Sequence, residues 1–360
     1  MAETHAARRS RAQQRISESG ADAALITSPP NVRYLSGLVS SNAAVLLSAD
    51  GPAVLATDSR YAETADRECP DLELLTERQI EPALAWLAAK RGCRRLAFEA
   101  QDMTVERHDA LAGLADGPEL VPLGHVIEEL RMIKDESELE LLARACALTA
   151  EAFAQVLGKV EPGRTERSLA VSVERAMIDL GADGIAFDTI VASGPNGAIP
   201  HHSPGDRPFK RGDLITIDCG AQYRGYHADM TRTVALGEPD AWQREIYDLV
   251  AAAQRAGVAA VVPGAELAAV DASARDLIAA AGHADHFGHG LGHGVGLEVH
   301  EAPMMGPSRP GTLNDRVPVT VEPGVYVPGR GGVRIEDTLV VRSGPAPQIL
   351  TTTTRELLVL

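Results

Sequence analysis

Leu214-Ile215-Thr216-Ile217-Asp218-Cys219-Gly220-Ala221-Gln222-Tyr223-Arg224-Gly225-Tyr226-His227-Ala228-Asp229 decides how the rest of this chain is read. Apolar and β-branched residues on either side of a Gly-containing turn predict two strands joined as a hairpin. Each arm carries an aspartate, Asp218 and Asp229, and the stretch holds no lysine. A carboxylate inside an apolar sheet is costly unless something positive meets it, so a metal ion is the natural counter-charge. The competing reading makes Asp218 a strand-end cap and Asp229 an exposed ladder residue, because short carboxylates favour turns and strand ends. The hairpin alone does not choose between them.

Outward from the hairpin, the chain repeats itself. Residues 134–160 predict a long helix with acids in its first turn, broken at Pro162-Gly163, then a helix over 165–180 that stops at Gly181. The same pattern recurs as a helix over 240–262, a break at Pro263-Gly264, a helix over 266–281 and a stop at Gly282. A duplicated unit is the simplest explanation. The second copy also carries a pair of acids on strand-like sequence, Glu322 within 317–327 and Glu336 within 332–341. If the halves pack around a pseudo-two-fold axis, the four carboxylates converge.

Between the halves of the second unit runs Phe287-Gly288-His289-Gly290-Leu291-Gly292-His293-Gly294-Val295-Gly296-Leu297-Glu298-Val299-His300-Glu301. Glycines at alternate places let the backbone pass close to a site. Four carboxylates and an imidazole form an oxygen-rich ligand set, which suits Mn or Mg better than structural Zn. Four negative charges also exceed what one divalent ion balances. Two ions sharing carboxylates, about 3.5–4 Å apart, would satisfy them and lower the pKa of a water between them. Such a centre hydrolyses amides or phosphates. Several neighbours read more plainly: Cys219 and Asp337 face away by strand alternation, and His283 and His286 are surface residues.

Composition narrows the classes. The chain has 360 residues, a formal charge of -16, 4% aromatic residues and four cysteines. That acidity argues against a nucleic-acid or anionic membrane partner. The cysteines lack CxxC spacing, the N-terminus has no apolar signal core, and no apolar run reaches membrane-spanning length, so a cytoplasmic protein is expected. The N-terminal part alternates helix and strand: a helix over 4–19 opened by Thr4, a strand over 23–27, and a hairpin turning at Asp50-Gly51-Pro52. It holds no cluster of His, Cys and carboxylates, so it is structural or walls off one side of a site. We divide the chain into domains 1–126 and 127–360.

Taken together, Ile217-Asp218-Cys219-Gly220, His227-Ala228-Asp229-Met230-Thr231-Arg232-Thr233, Gly290-Leu291-Gly292-His293-Gly294-Val295-Gly296, Val321-Glu322-Pro323-Gly324 and Arg334-Ile335-Glu336-Asp337 resemble the pita-bread metallopeptidases. The resemblance is to the proline-directed members, the prolidase (Xaa-Pro dipeptidase) and aminopeptidase P group. It implies an α/β (α+β) fold, with a creatinase-like N-terminal domain and a C-terminal pita-bread domain of duplicated helix-pair and sheet units. It also implies metal ligands Asp218, Asp229, His293, Glu322 and Glu336, with Asp229 and Glu336 bridging two divalent ions, manganese first and cobalt or zinc as alternatives. Glu322 would shuttle a proton, and His201 and His300 would steady the substrate. His201 rather than His202 fits the pattern because it follows Pro200 directly. His289 and Arg334 would line the pocket, Arg334 either meeting a substrate carboxylate or holding a ligand acid in place. The implied substrate is a Xaa-Pro di- or oligopeptide and the implied assembly a homodimer. Dipeptidase is the first reading and aminopeptidase the second. From another class, a non-enzymatic pita-bread binding module is the alternative, although such modules lose ligands and this chain keeps all five.

Overall fold

The computed structural model describes residues 2–344 and 346–360, and a boundary between two compact units falls between Arg131 and Met132. The first unit runs α1 (Ala2–Glu18), β1 (Ala23–Ile26), α2 (Pro29–Ser36), β2 (Ala43–Ser48), β3 (Val54–Thr57), α3 (Ala62–Glu68), β4 (Glu73–Thr76), α4 (Ile80–Lys90), β5 (Arg95–Phe98), α5 (Val105–Ala112), β6 (Glu119–Pro122) and α6 (Val126–Met132). One sheet holds its strands in the order β4-β3-β2-β1-β5-β6, over a core that includes Leu25, Leu46, Val54 and Leu84. β1, β2 and β3 pair antiparallel, and the outer strands join them in parallel. Two details differ from the sequence reading. α1 starts ahead of Thr4, so Thr4 does not cap it. α2 is an additional helix opened by Pro29-Pro30, whose fixed φ suits a first helical turn and sacrifices no hydrogen bond there.

The second unit contains α7 (Glu136–Leu157), α8 (Glu166–Asp179), β7 (Gly184–Ile185), β8 (Ile190–Ser193), β9 (Leu214–Cys219), β10 (Ala221–Tyr223), β11 (Tyr226–His227) and β12 (Met230–Ala235). It continues through α9 (Ala241–Ala260), α10 (Leu267–Ile278), β13 (Gly292–Gly294), β14 (Glu301–Met305), β15 (Pro318–Val321), β16 (Gly324–Val327), β17 (Gly331–Arg334), β18 (Asp337–Val340) and β19 (Gln348–Ile349). Local chemistry sets the helix bounds twice over. Asp135 with Glu138 and Asp240 with Gln243 form capping boxes that satisfy the first amides of α7 and α9. Gly163 at φ +89° and Gly264 at φ +82° then turn each chain into the next helix.

The hairpin predicted over 214–229 is corrected. β9 pairs antiparallel with β12, beyond Asp229, and Asp218 sits opposite Thr231. Arg224 and Gly225 instead close a separate short ribbon, β10 with β11. The ladder breaks because the backbones converge at Gly220, where a Cβ would lie 1.8 Å from the Ala228 carbonyl oxygen. The second half is interrupted the same way, β15 pairing with β18 and β16 with β17 across Glu322-Pro323 and Ile335-Glu336. Thus the acids stand at or beside the breaks, Asp229 and Glu336 immediately before β12 and β18.

Each half packs its helix pair on its own strands. Leu148, Phe153, Val173, Met177, Ile215 and Ile217 share one core, and Ile246, Val250, Val270, Ile278, Val319 and Leu339 another. Each such side chain contributes about 1.5–3 kcal/mol when buried, so the sheets carrying the acids rest on a rigid apolar floor. Among the described residues no disulfide forms and no helix is long and apolar enough to cross a membrane.

Candidate metal centre

A cavity of about 600 Å³ in the second unit is lined by Asp218, Asp229, His293, Glu322 and Glu336 together. Asp218, Asp229 and Glu336 each offer an oxygen within 4.8 Å of the others, and His293, Glu322 and Glu336 form a second such group. Glu336 belongs to both. A third group joins Asp229, His293 and His300, so His300 also comes within ligand range of Asp229. Its ring stands edge-on to His293 with centroids 4.4 Å apart.

The two halves brace each other here. Thr231, two residues after Asp229, donates its hydroxyl to Glu336 Oε2 at 2.7 Å, and Thr338, two after Glu336, donates to the Asp229 carbonyl at 2.8 Å.

The donor atoms fit a cation. His293 Nδ1 lies 3.0 Å from the Gly294 carbonyl, so it carries the proton and leaves the Nε2 lone pair free. That lone pair faces Asp229 Oδ2 at 3.6 Å and Glu322 Oε1 at 3.4 Å. Burial pushes His293 down to about 4, so it is neutral at physiological pH and cannot itself balance the acids. Asp218 Oδ1 is buried without any hydrogen-bond partner among the described residues. Acceptors facing acceptors across a cavity is an arrangement that divalent ions complete.

The acids bear the cost of that arrangement. Burial, followed by repulsion from Asp218, raises Glu336 to about 8, and burial with repulsion from Glu336 lifts Asp229 and Glu322 well above the carboxylate range. An acid raised on folding costs nothing below its unfolded pKa and destabilises increasingly as pH climbs toward its folded one. The metal-free chain should therefore lose stability between about pH 4 and pH 8. Divalent metal removes that penalty, so the gain in melting temperature on adding Mn should be larger at pH 8 than at pH 5. Equal gains at both values would contradict the ligand assignment.

Among the described residues Arg334 is the guanidinium that pairs with one of these acids. It donates to Asp218 Oδ2 at 2.8 Å, to the Thr231 hydroxyl at 3.1 Å, to the Tyr326 hydroxyl at 3.0 Å and to the Pro200 carbonyl at 3.3 Å. Burial works against its charge, but Tyr326, Asp218, Glu322 and Glu336 hold it firmly protonated. Tyr326 in turn lies 2.8 Å from His289 Nε2, and His289 Nδ1 donates to the Gly290 carbonyl. Burial lowers His289 to about 4, so the chain of donation runs Arg334 to Tyr326 to His289. Both lining residues named from sequence thus belong to one network that ends on Asp218.

His201 and His202 both line the cavity, and His202 Nε2 is held by Glu166 Oε2 at 2.8 Å. Asp337, beside Glu336, points the other way and pairs with Arg232 at 2.8 Å and with Arg355. Cys219 is buried, its thiol pushed up by burial. His283 and His286 bond to each other at 2.9 Å. Sequence reasoning missed Tyr326 and Arg309. Tyr326 was findable, since a buried tyrosine hydroxyl requires a partner. Arg309 lines the cavity, is exposed, and makes no side-chain hydrogen bond or ion pair among the described residues. Nothing in its loop sequence marks it.

The chain matches known proteins over nearly its whole length. Residues 140–343 match the family described as metallopeptidase family M24, and residues 8–133 match the creatinase/prolidase N-terminal domain. The Xaa-Pro dipeptidase of Pyrococcus horikoshii is 35% identical over 343 residues, 95% of this chain and 96% of that one. The solved structure of the Xaa-Pro dipeptidase from Bacillus anthracis superposes with a TM-score of 0.95 at 35% identity, covering 99% of this chain and 100% of its own. That of the X-Pro aminopeptidase from Thermotoga maritima gives 0.88 at 34%, covering 95% and 98%.

Proposed function

The chain belongs to metallopeptidase family M24, and from that premise we propose that it is a dimetal hydrolase cleaving the bond before proline, acting as a Xaa-Pro dipeptidase. The observation that carries the reading is the opposition of the His293 lone pair and four carboxylates across one cavity, with Glu336 common to two ligand groups. Asp218, Asp229, His293, Glu322 and Glu336 would hold the ions, with Asp229 and Glu336 shared between both. Two bound divalent ions, Mn first and Co or Zn as alternatives, would polarise the scissile carbonyl and activate water.

The chain's own residues supply the rest. Glu322, whose side chain keeps 17% of its surface exposed, lines the cavity and can take a proton from the attacking water and pass it to the proline nitrogen as the bond breaks. His201 and His300 face the cavity from different loops and can donate hydrogen bonds to the oxygen that gains charge. Arg334 fixes Asp218 rather than the substrate, because its donors already meet internal acceptors. Among the described residues Arg309 is then the cavity-lining cation without a side-chain partner, suited to the carboxylate at the end of a dipeptide.

Mn-loaded protein should cleave a Xaa-Pro dipeptide and stop on chelation. Arg309→Met should lower kcat/KM on that dipeptide about 10- to 100-fold, the effect of losing a charge-assisted hydrogen bond. A Xaa-Pro-Yaa tripeptide should be affected little. Faster cleavage of the tripeptide than of the dipeptide by the parent protein would favour an aminopeptidase, and no cleavage of either with metal bound would refute the enzyme.

A further inference from the structure

The wall that presents His201 to the cavity has no helix or strand of its own over residues 199–205. The His201 ring makes no hydrogen bond among the described residues, so its direction depends on how its neighbours are held. Arg334 donates to the carbonyl of Pro200 at 3.3 Å, and the residues on the other side are held by Glu166, the first residue of α8, which is fully buried. Its Oε1 accepts from the Ser193 amide at 2.8 Å, the Ser193 hydroxyl at 2.7 Å and Asn196 Nδ2 at 2.9 Å. Its Oε2 accepts from His202 Nε2 at 2.8 Å and the Gly205 amide at 3.2 Å. One carboxylate therefore ties the turn before the segment to its middle and its far end, and the amide of Arg167 adds a bond to the Gly205 carbonyl at 3.0 Å. The second half repeats the device. In α10, Asp271 accepts from the Leu291 amide at 3.0 Å and pairs with Arg275, which donates to the carbonyls of Phe287 and His289. In each half the second helix of the pair thus anchors a loop carrying a cavity histidine.

We infer that Glu166 is a positioning residue of the reaction, fixing the His201 imidazole toward the reacting carbonyl by holding His202 and Gly205. The inference rests on the proposed role of His201, and a double-mutant cycle separates the two. Glu166→Gln keeps an acceptor for Ser193 and Asn196 but sets an amide N–H against the Gly205 N–H, loosening one side of the anchor with little change in volume. In the full-length Mn-loaded chain on a Xaa-Pro dipeptide, Glu166→Gln should lower kcat about 10- to 100-fold, as expected when a reacting group is displaced by a fraction of an ångström to an ångström. KM should stay within about twofold. Bound metal per chain should be unchanged. In a His201→Ala background the same substitution should cost nothing further. Should Glu166→Gln fold poorly, Asn196→Ala carries the same cycle, since it removes a donor that Oε1 holds and lies outside the cavity lining. Multiplicative losses in the double variant would overturn the positioning role. Full activity in His201→Ala alone would overturn it together with the role of His201.

Discussion

Asp229→Ala should abolish hydrolysis of a Xaa-Pro dipeptide while leaving the fold intact. Asp229 is 4% exposed, shares one ligand group with Asp218 and Glu336, and faces the His293 lone pair in another. Removing it takes a donor from both groups at once. A fall of at least about 10³-fold in kcat/KM is expected, because a metal's polarising role is worth several kcal/mol. Folding should survive, since the cross-brace from Thr338 reaches the Asp229 backbone carbonyl and not its side chain. The substitution also deletes one of the mutually repelling acids, so the metal-free variant at pH 8 should be no less stable than the metal-free parent. Metal analysis decides the assignment: two ions retained per chain would show that Asp229 does not bridge.

Arg334→Met comes next in expected effect, and it acts on stability first. The side chain is buried and donates to Asp218, Thr231, Tyr326 and the Pro200 carbonyl. Taking away one partner of a buried charge pair leaves the other uncompensated, at a cost of about 3–5 kcal/mol. The loss should be larger without metal than with it, because bound divalent ions supply positive charge beside the same acids. Denaturant melts with and without Mn measure the difference. Arg334→Lys should not rescue, since one ammonium cannot span the four acceptors that the guanidinium fork reaches. A variant of parental stability whose only change is a raised KM would return Arg334 to the substrate-binding role first entertained for it.

Much of the architecture was legible because its causes are local. The caps at Asp135 and Asp240 lie within three residues of the Glu138 and Gln243 side chains that complete them, and Pro-Gly breaks announce themselves. Residue type made the acids conspicuous, since carboxylates on apolar strand-like sequence need an explanation wherever they fold. The strand pairing around them was misread for an equally physical cause. A glycine in sequence signals freedom, but only the approach of the Ala228 carbonyl shows that Gly220 ends a ladder and does not turn a hairpin.

By itself, then, the sequence determined the helix pairs, their duplication and which side chains carry charge into the sheets, because capping, periodicity and desolvation act over a few residues. Tertiary structure alone decided what those charges meet. Arg334 and Asp218 are 116 residues apart, Thr231 and Glu336 105, and Glu166 and His202 36, and no periodicity encodes such separations. A hydrogen bond requires donor and acceptor within about 3 Å, and that proximity exists only once both halves have closed on the cavity.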